Sequence, residues 1–177
     1  MIISIEKAKE LVRFPDGWDD EKIKMKLLAV EQTIRAYTNN NFQDRGFRVQ
    51  ANIANGVFTS ESLIPFSVGD TVQVSESRLN KGLFTVTSAN DETFMVDEEI
   101  RDEAAVLVTK IEYPADVIAC CMNLLEWEVN NRGKVGIQSE TLSRHSVTYF
   151  NQDAANQVMG YPASLLGCLK PYRKCRC

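Results

Sequence analysis

At 177 residues the chain can hold one good core, or one core and a small satellite module. Its hydrophobic fraction of 44% and charged fraction of 25% are those of an ordinary globular protein, and a formal net charge of −4 gives no reason to expect general nucleic-acid binding. The longest unbroken apolar run, Val117–Met122, is far too short to cross a bilayer, so no membrane is expected as a partner.

Met1–Phe14 is amphipathic and carries acids, which is not the pattern of a secretory signal. The first predicted helix spans 2–12, with Ser4 as a cap and Ile5, Ala8, Leu11 and Val12 as its apolar stripe. Phe14-Pro15-Asp16-Gly17 is a turn signal. A second helix, 20–38, starts after Asp19-Asp20, and its apolar positions Ile23, Leu27, Val30, Ile34 and Tyr37 recur at spacings of four and three. Met25 and Leu28 widen that stripe. A wide apolar face suits a helix that contacts two neighbours, in the same chain or in another copy, and makes these two residues candidates for a subunit interface. Asn39-Asn40-Asn41 ends the helix.

From Phe47 to Tyr113 the pattern changes to short alternating runs: Val68–Val74, Gly82–Thr87, Thr93–Val96 and Ala105–Ile111, separated by polar turns. These predict a small antiparallel sheet or barrel inserted between helices. A third helix, 114–131, opens with Pro114 and Asp116 in its first turn and buries Val117, Ile118, Cys121, Leu124 and Leu125. It cannot stand alone against the conformational entropy of ordering it, so it needs the earlier helices as partners. Gly133–Asn156 fits either a hairpin or an extended arm. A last short helix, 162–169, has proline in its first turn and stops at Lys170-Pro171. The expected fold is therefore α+β: a small helical bundle (1–46 and 114–177) carrying an inserted β-rich domain (47–113).

The polar residues carry no recognisable catalytic or metal-binding pattern. The single histidine, His145, is adjacent in sequence to Arg144 and Ser146, whereas a catalytic base usually meets its nucleophile from elsewhere in the fold. Gly133-Lys134-Val135-Gly136 lacks the spacing and the Ser/Thr of a phosphate loop. The acids Asp97, Glu98, Glu99, Asp102 and Glu103 lack the alternating ligand pattern of a calcium loop and read as a solvated turn. Cys168, Cys175 and Cys177 match no usual zinc spacing. Five cysteines do not pair evenly, and Cys120 and Cys121 cannot face each other on one helix, which reads as reduced cytosolic thiols. No enzyme, cofactor or metal is expected.

The charge is unevenly spread. From Arg144 onward there are five basic residues and one acid, a surplus of four that leaves the rest of the chain near −8. The basic tail has three readings: a frayed terminus, a nucleic-acid contact, or an arm that docks on a partner through Tyr172 amid Arg173, Lys174 and Arg176.

Ile5, Lys9, Leu11 and Arg13, then Asp19-Asp20, Ile23, Leu27, Ile34 and Tyr37-Thr38, resemble the N-terminal pattern of tailed-phage head–tail connector (adaptor) proteins, which attach beneath the portal. The later stretches Lys134–Glu140, Ser143–Val147, Gly160-Tyr161-Pro162, Leu165-Leu166-Gly167 and Lys170-Pro171-Tyr172 are similar to a branch of that family with an inserted β domain. The resemblance implies a ring of identical subunits in the virion neck, assembled in the host cytoplasm. The ring would dock to the portal protein on one side and to a stopper or tail-completion protein on the other, and DNA would pass through without sequence-specific binding. It also implies that Lys170, Tyr172, Arg173, Lys174 and Arg176 form the arm that reaches the portal or a neighbouring subunit. A binding module whose β insertion recognises a peptide or saccharide is the alternative expectation.

Overall fold

The computed structural model describes residues 1–131, 139–142, 145–148 and 156–175, with backbone only for 139–142 and 145–148. The chain divides into two compact units, one made of Met1 with 41–113 and the other of 2–40 with 114–177. The architecture is α+β, with a closed six-stranded antiparallel barrel inserted between helices.

In the helical unit, α1 (Ile5–Leu11) begins where the Ser4 side chain accepts from the Lys7 N–H. The expected helix over 2–12 is shortened because that cap fixes its start, and Ile2 and Ile3 are buried without being helical. The second helix, α2 (Asp20–Thr38), is capped by Asp19, whose carboxylate accepts from the Lys22 N–H at 2.8 Å. Asp20 and Glu21 in its first turn suit the positive end of the dipole. It ends at Asn39, in the left-handed conformation with φ 48°. The third helix, α3 (Ala115–Asn131), packs against α2. Leu27 and Ile34 of α2 and Leu124 and Leu125 of α3 are fully buried, each stabilising by about 1.5–3 kcal/mol relative to exposure. Two carboxylates share this region. Glu31 accepts from the Ile2 N–H at 3.2 Å, and Glu128 holds the Lys26 ammonium at 3.1 Å.

The barrel contains β1 (Gln43–Ala54), β2 (Val57–Thr59), β3 (Thr71–Ser75), β4 (Gly82–Ala89), β5 (Thr93–Val96) and β6 (Glu103–Ile111), in the order β1-β2-β5-β4-β3-β6 with β6 closing on β1. Alternate residues point inward, so Val49, Ala51 and Ile53 of β1 are buried while Gln50 and Asn52 are exposed. Phe58 and Phe94 stack with centroids 4.3 Å apart, and Phe66 meets Phe94 edge-on at 5.3 Å. The strands β3–β6 fall where alternation puts them. The strands β1 and β2 lie outside those alternating runs, and Phe47 falls within β1 rather than at the start of the module. Their signal is the hairpin turn Asn55-Gly56, with φ 51° and 78°, the two-residue pattern that fits the right-handed twist of paired strands.

After α3, a two-stranded ladder joins β7 (Ser139–Leu142) to β8 (His145–Thr148). Two short strands, β9 (Gln157–Val158) and β10 (Tyr161–Pro162), pair around Met159-Gly160, both at positive φ. The expected helix over 162–169 does not form. The chain instead makes successive i→i+3 turns, with Leu165 N–H to Pro162 carbonyl at 3.0 Å and Gly167 N–H to Ser164 carbonyl at 3.2 Å, and then a 3-10 helix at Gly167–Tyr172. Only eight residues separate Pro162 from Pro171, and Gly167 lies among them. Such a stretch gains too few i→i+4 bonds to repay nucleation. Leu166 and Leu169 are nonetheless fully buried, with the 3-10 helix against both α2 and α3.

Candidate docking site

The last carbonyls of α2 have no partners within their own helix. The C-terminal segment meets one of them and is held there by further bonds. The Lys174 N–H donates to the Thr38 carbonyl at 2.8 Å. The Asn39 side-chain amide donates to the carbonyls of Lys174 and Cys175 at 3.4 and 3.2 Å, and the Asn40 amide to that of Tyr172 at 3.3 Å. The Arg173 guanidinium lies 5.2 Å above the Tyr37 ring. The Tyr172 hydroxyl donates to Asp116 in the first turn of α3, 2.7 Å from each carboxylate oxygen. That hydrogen bond first, then burial and the carboxylate's charge, pushes the phenol's pKa up, so Tyr172 stays a neutral donor at physiological pH.

A frayed terminus is one of the three readings that the sequence leaves open for the tail. Through Cys175 it is docked, because it caps a helix end and is anchored by Leu169. The signal for this lay in Asn39-Asn40, whose short amides reach neighbouring backbone. What docking produces is a basic rim. Lys170, Arg173 and Lys174 line a groove of about 520 Å³ with Ala36, Tyr37, Asn39 and Cys175. The three cations gather at the negative end of the α2 dipole. Arg176 and Cys177 lie outside the described residues. On the flank of the same helix, Met25 is 68% exposed and Leu28 half-buried; three residues apart, they share a side of α2.

No family model matches the chain, and no curated protein sequence matches it. The rim must therefore be judged on its own chemistry. It offers two flexible ammonium groups and one guanidinium already held over an aromatic face, which suits an acidic or carbonyl-rich surface.

Several other polar groups have structural roles. The thiols were expected to be unpaired, yet Cys120 of α3 and Cys168 of the 3-10 helix form a disulfide with Cα atoms 6.5 Å apart. The reason is the docked tail, which brings residues 48 apart in sequence together. Burial, with a lesser contribution from the charge of Glu31, pushes the Cys121 thiol up to about 12, so it carries no thiolate for nucleophilic chemistry. Among the described residues no cluster of three His, Cys, Asp or Glu side chains is placed to hold a metal ion. His145 lies in β8, while Ser143, Arg144 and the Gly133–Gly136 stretch lie outside the described residues.

Three of the acids from Asp97 to Glu103 organise turns. Asp97 accepts from the Thr85 N–H at 2.8 Å and Asp102 from the Asn55 N–H at 2.7 Å. Glu103 accepts from the Ser77 hydroxyl at 2.6 Å, the Arg78 N–H at 2.7 Å, the Leu79 N–H at 3.3 Å and the Asn80 amide at 3.0 Å. The Ser77 bond foremost, then that from Arg78, holds its carboxyl below the usual glutamate range. A carboxyl depressed in the folded state stabilises above its unfolded pKa, and that contribution is lost as pH falls through the folded value. Acidification should therefore loosen the 77–80 turn, and Glu103→Gln should remove part of the barrel's acid sensitivity. Melting temperatures of both proteins at about pH 7 and about pH 3 check this; parallel losses would refute it.

Proposed function

We propose that the chain is a head–tail connector of a tailed phage or prophage, a structural subunit that assembles as a ring beneath the portal and helps join head to tail around the DNA channel. The observation that carries this reading is the basic rim of Lys170, Arg173 and Lys174, presented by a docked C-terminal segment at the end of α2. It begins at Lys170-Pro171-Tyr172, one of the stretches that resemble the connector family, and it gives the proposed portal contact a shaped surface. An acidic body with one basic edge also suits a ring lining a DNA channel, because like charge keeps DNA from adhering to the wall. Met25 and Leu28 supply apolar area for a neighbouring subunit.

Lys170→Glu combined with Lys174→Glu tests the rim. Both side chains are exposed, so folding should hold while docking weakens by about 3 kcal/mol, roughly 100-fold. The expected result is a loss of infectious particles of that order, with free heads and tails accumulating. Unchanged titres from a stably produced double variant would refute a docking role for the rim.

A second reading, in which the barrel binds a peptide or saccharide, draws on a polar cleft of about 290 Å³ lined by Gln50, Asn52 and Thr59–Ser62. Screening the full chain against peptide and glycan arrays, with chemical shifts followed at Gln50 and Ser60, discriminates it; no response there removes this reading.

A further inference from the structure

The barrel closes unevenly. β2 pairs only with the last three residues of β1, Asn52 to Ala54, whereas β6 runs along nearly the whole of β1. Past Thr59 the chain stays with the β5 side: the Ser60 N–H bonds to the Glu92 carbonyl and the Ile64 N–H to the Asp91 carbonyl, both at 3.0 Å. From Arg48 to Ala51, β1 therefore has β6 on one side and, among the described residues, no strand on the other.

The alternation of an antiparallel ladder fixes which groups face that open side. The residues flanking a two-residue turn exchange both backbone bonds, so Ala54 and Val57 are such a pair, and Asn52 and Thr59 the next. By the same alternation Val49 and Ala51 bond to β6, while the N–H and C=O groups of Arg48 and Gln50 point away from it. Both side chains are exposed, and the polar cleft adjoins Gln50.

A matching edge exists elsewhere in the sequence. Among the described residues β7 and β8 pair only with each other, and two strands alone are marginal in water. Leu142 and His145 are paired with only two residues between them in the chain, so they close the ladder, and the N–H and C=O groups of Ser139 and Thr141 face outward from β7. The open stretch of β1 next to the cleft, Arg48–Ala51, is four residues long, as is β7.

We infer that β7 of one copy adds to the open edge of β1 in another, extending that barrel wall by the β7–β8 hairpin and linking neighbouring subunits through backbone hydrogen bonds. The inference deepens the ring reading, on which it rests for the existence of a second copy. Backbone pairing supplies the attraction.

Sedimentation and residue-resolved amide exchange on the full chain, from about 10 μM to about 1 mM, test it. The expected result is a concentration-dependent larger species in which the amides of Arg48, Gln50 and Thr141 exchange at least about tenfold more slowly than in the monomer. Gln50→Pro and Thr141→Pro each remove an outward N–H that the chain's own ladders do not use, and each should raise the concentration needed for assembly at least about tenfold. If one variant fails to fold, the other and the wild-type exchange data still decide. A larger species in which these amides exchange as in the monomer overturns the inference and leaves the ring to another interface. A chain monomeric at about 1 mM also overturns it, while the neck function is judged separately by the titres of the Lys170→Glu, Lys174→Glu variant.

Discussion

Phe94→Ala is expected to cost the barrel about 3–5 kcal/mol, measured as a lowered denaturant midpoint. Phe94 is 1% exposed and sits at the centre of an aromatic group, face to face with Phe58 and edge-on to Phe66. Truncation removes its transfer energy, leaves a cavity that the closed wall cannot collapse around, and breaks both ring contacts at once. A small domain holds only about 5–15 kcal/mol in total, so the loss is a large share of what the barrel has. Phe94→Leu should cost clearly less, since it keeps most of the volume. A cost below about 1 kcal/mol for alanine would show that the aromatic centre is not the barrel's organising contact.

The second large effect concerns Leu169. Leu169→Ala should destabilise the helical unit by about 2–5 kcal/mol, because this side chain is fully buried where the 3-10 helix meets α2 and α3. Deleting everything after Gly167 should be worse. It also removes the Lys174 N–H that satisfies the end of α2 and the Cys168 that is joined to Cys120. Thermal or denaturant unfolding of the point variant measures this. A change within about 0.5 kcal/mol would mean that the segment rests on the helices without supporting them. The distinction matters for function: a truncated chain that fails to join heads to tails could simply be unfolded, whereas reversal of Lys170 and Lys174 leaves Leu169 in place.

Periodicity carried most of what was legible in the sequence. The α2 and α3 spans and strands β3–β6 follow from spacings of 3.6 and 2, because each buries one face against a core. The strand β1 was harder to see because its first half, Arg45 to Arg48, is exposed and polar, and only Val49, Ala51 and Ile53 alternate toward the barrel. The C-terminal segment failed a helical reading for a related reason: Tyr161, Leu166 and Leu169 are buried at intervals set by turns rather than by any regular period. The candidate site was half visible. Composition marks a basic tail, but its attachment to α2 depends on backbone donors meeting helix-end carbonyls, which no side-chain pattern encodes. The Cys120–Cys168 pair was hidden by the same omission.

The first and last strands of the barrel are neighbours. Gln43 is paired with Ile111, the Glu112 N–H donates to the Phe42 carbonyl, and the rings of Phe42 and Tyr113 lie 4.9 Å apart. The chain thus leaves for the barrel and returns from it at one doorway about 5 Å wide. A lineage can gain, discard or exchange the whole module with two cuts at that doorway, and an engineer can use it to mount a cargo whose termini lie equally close together.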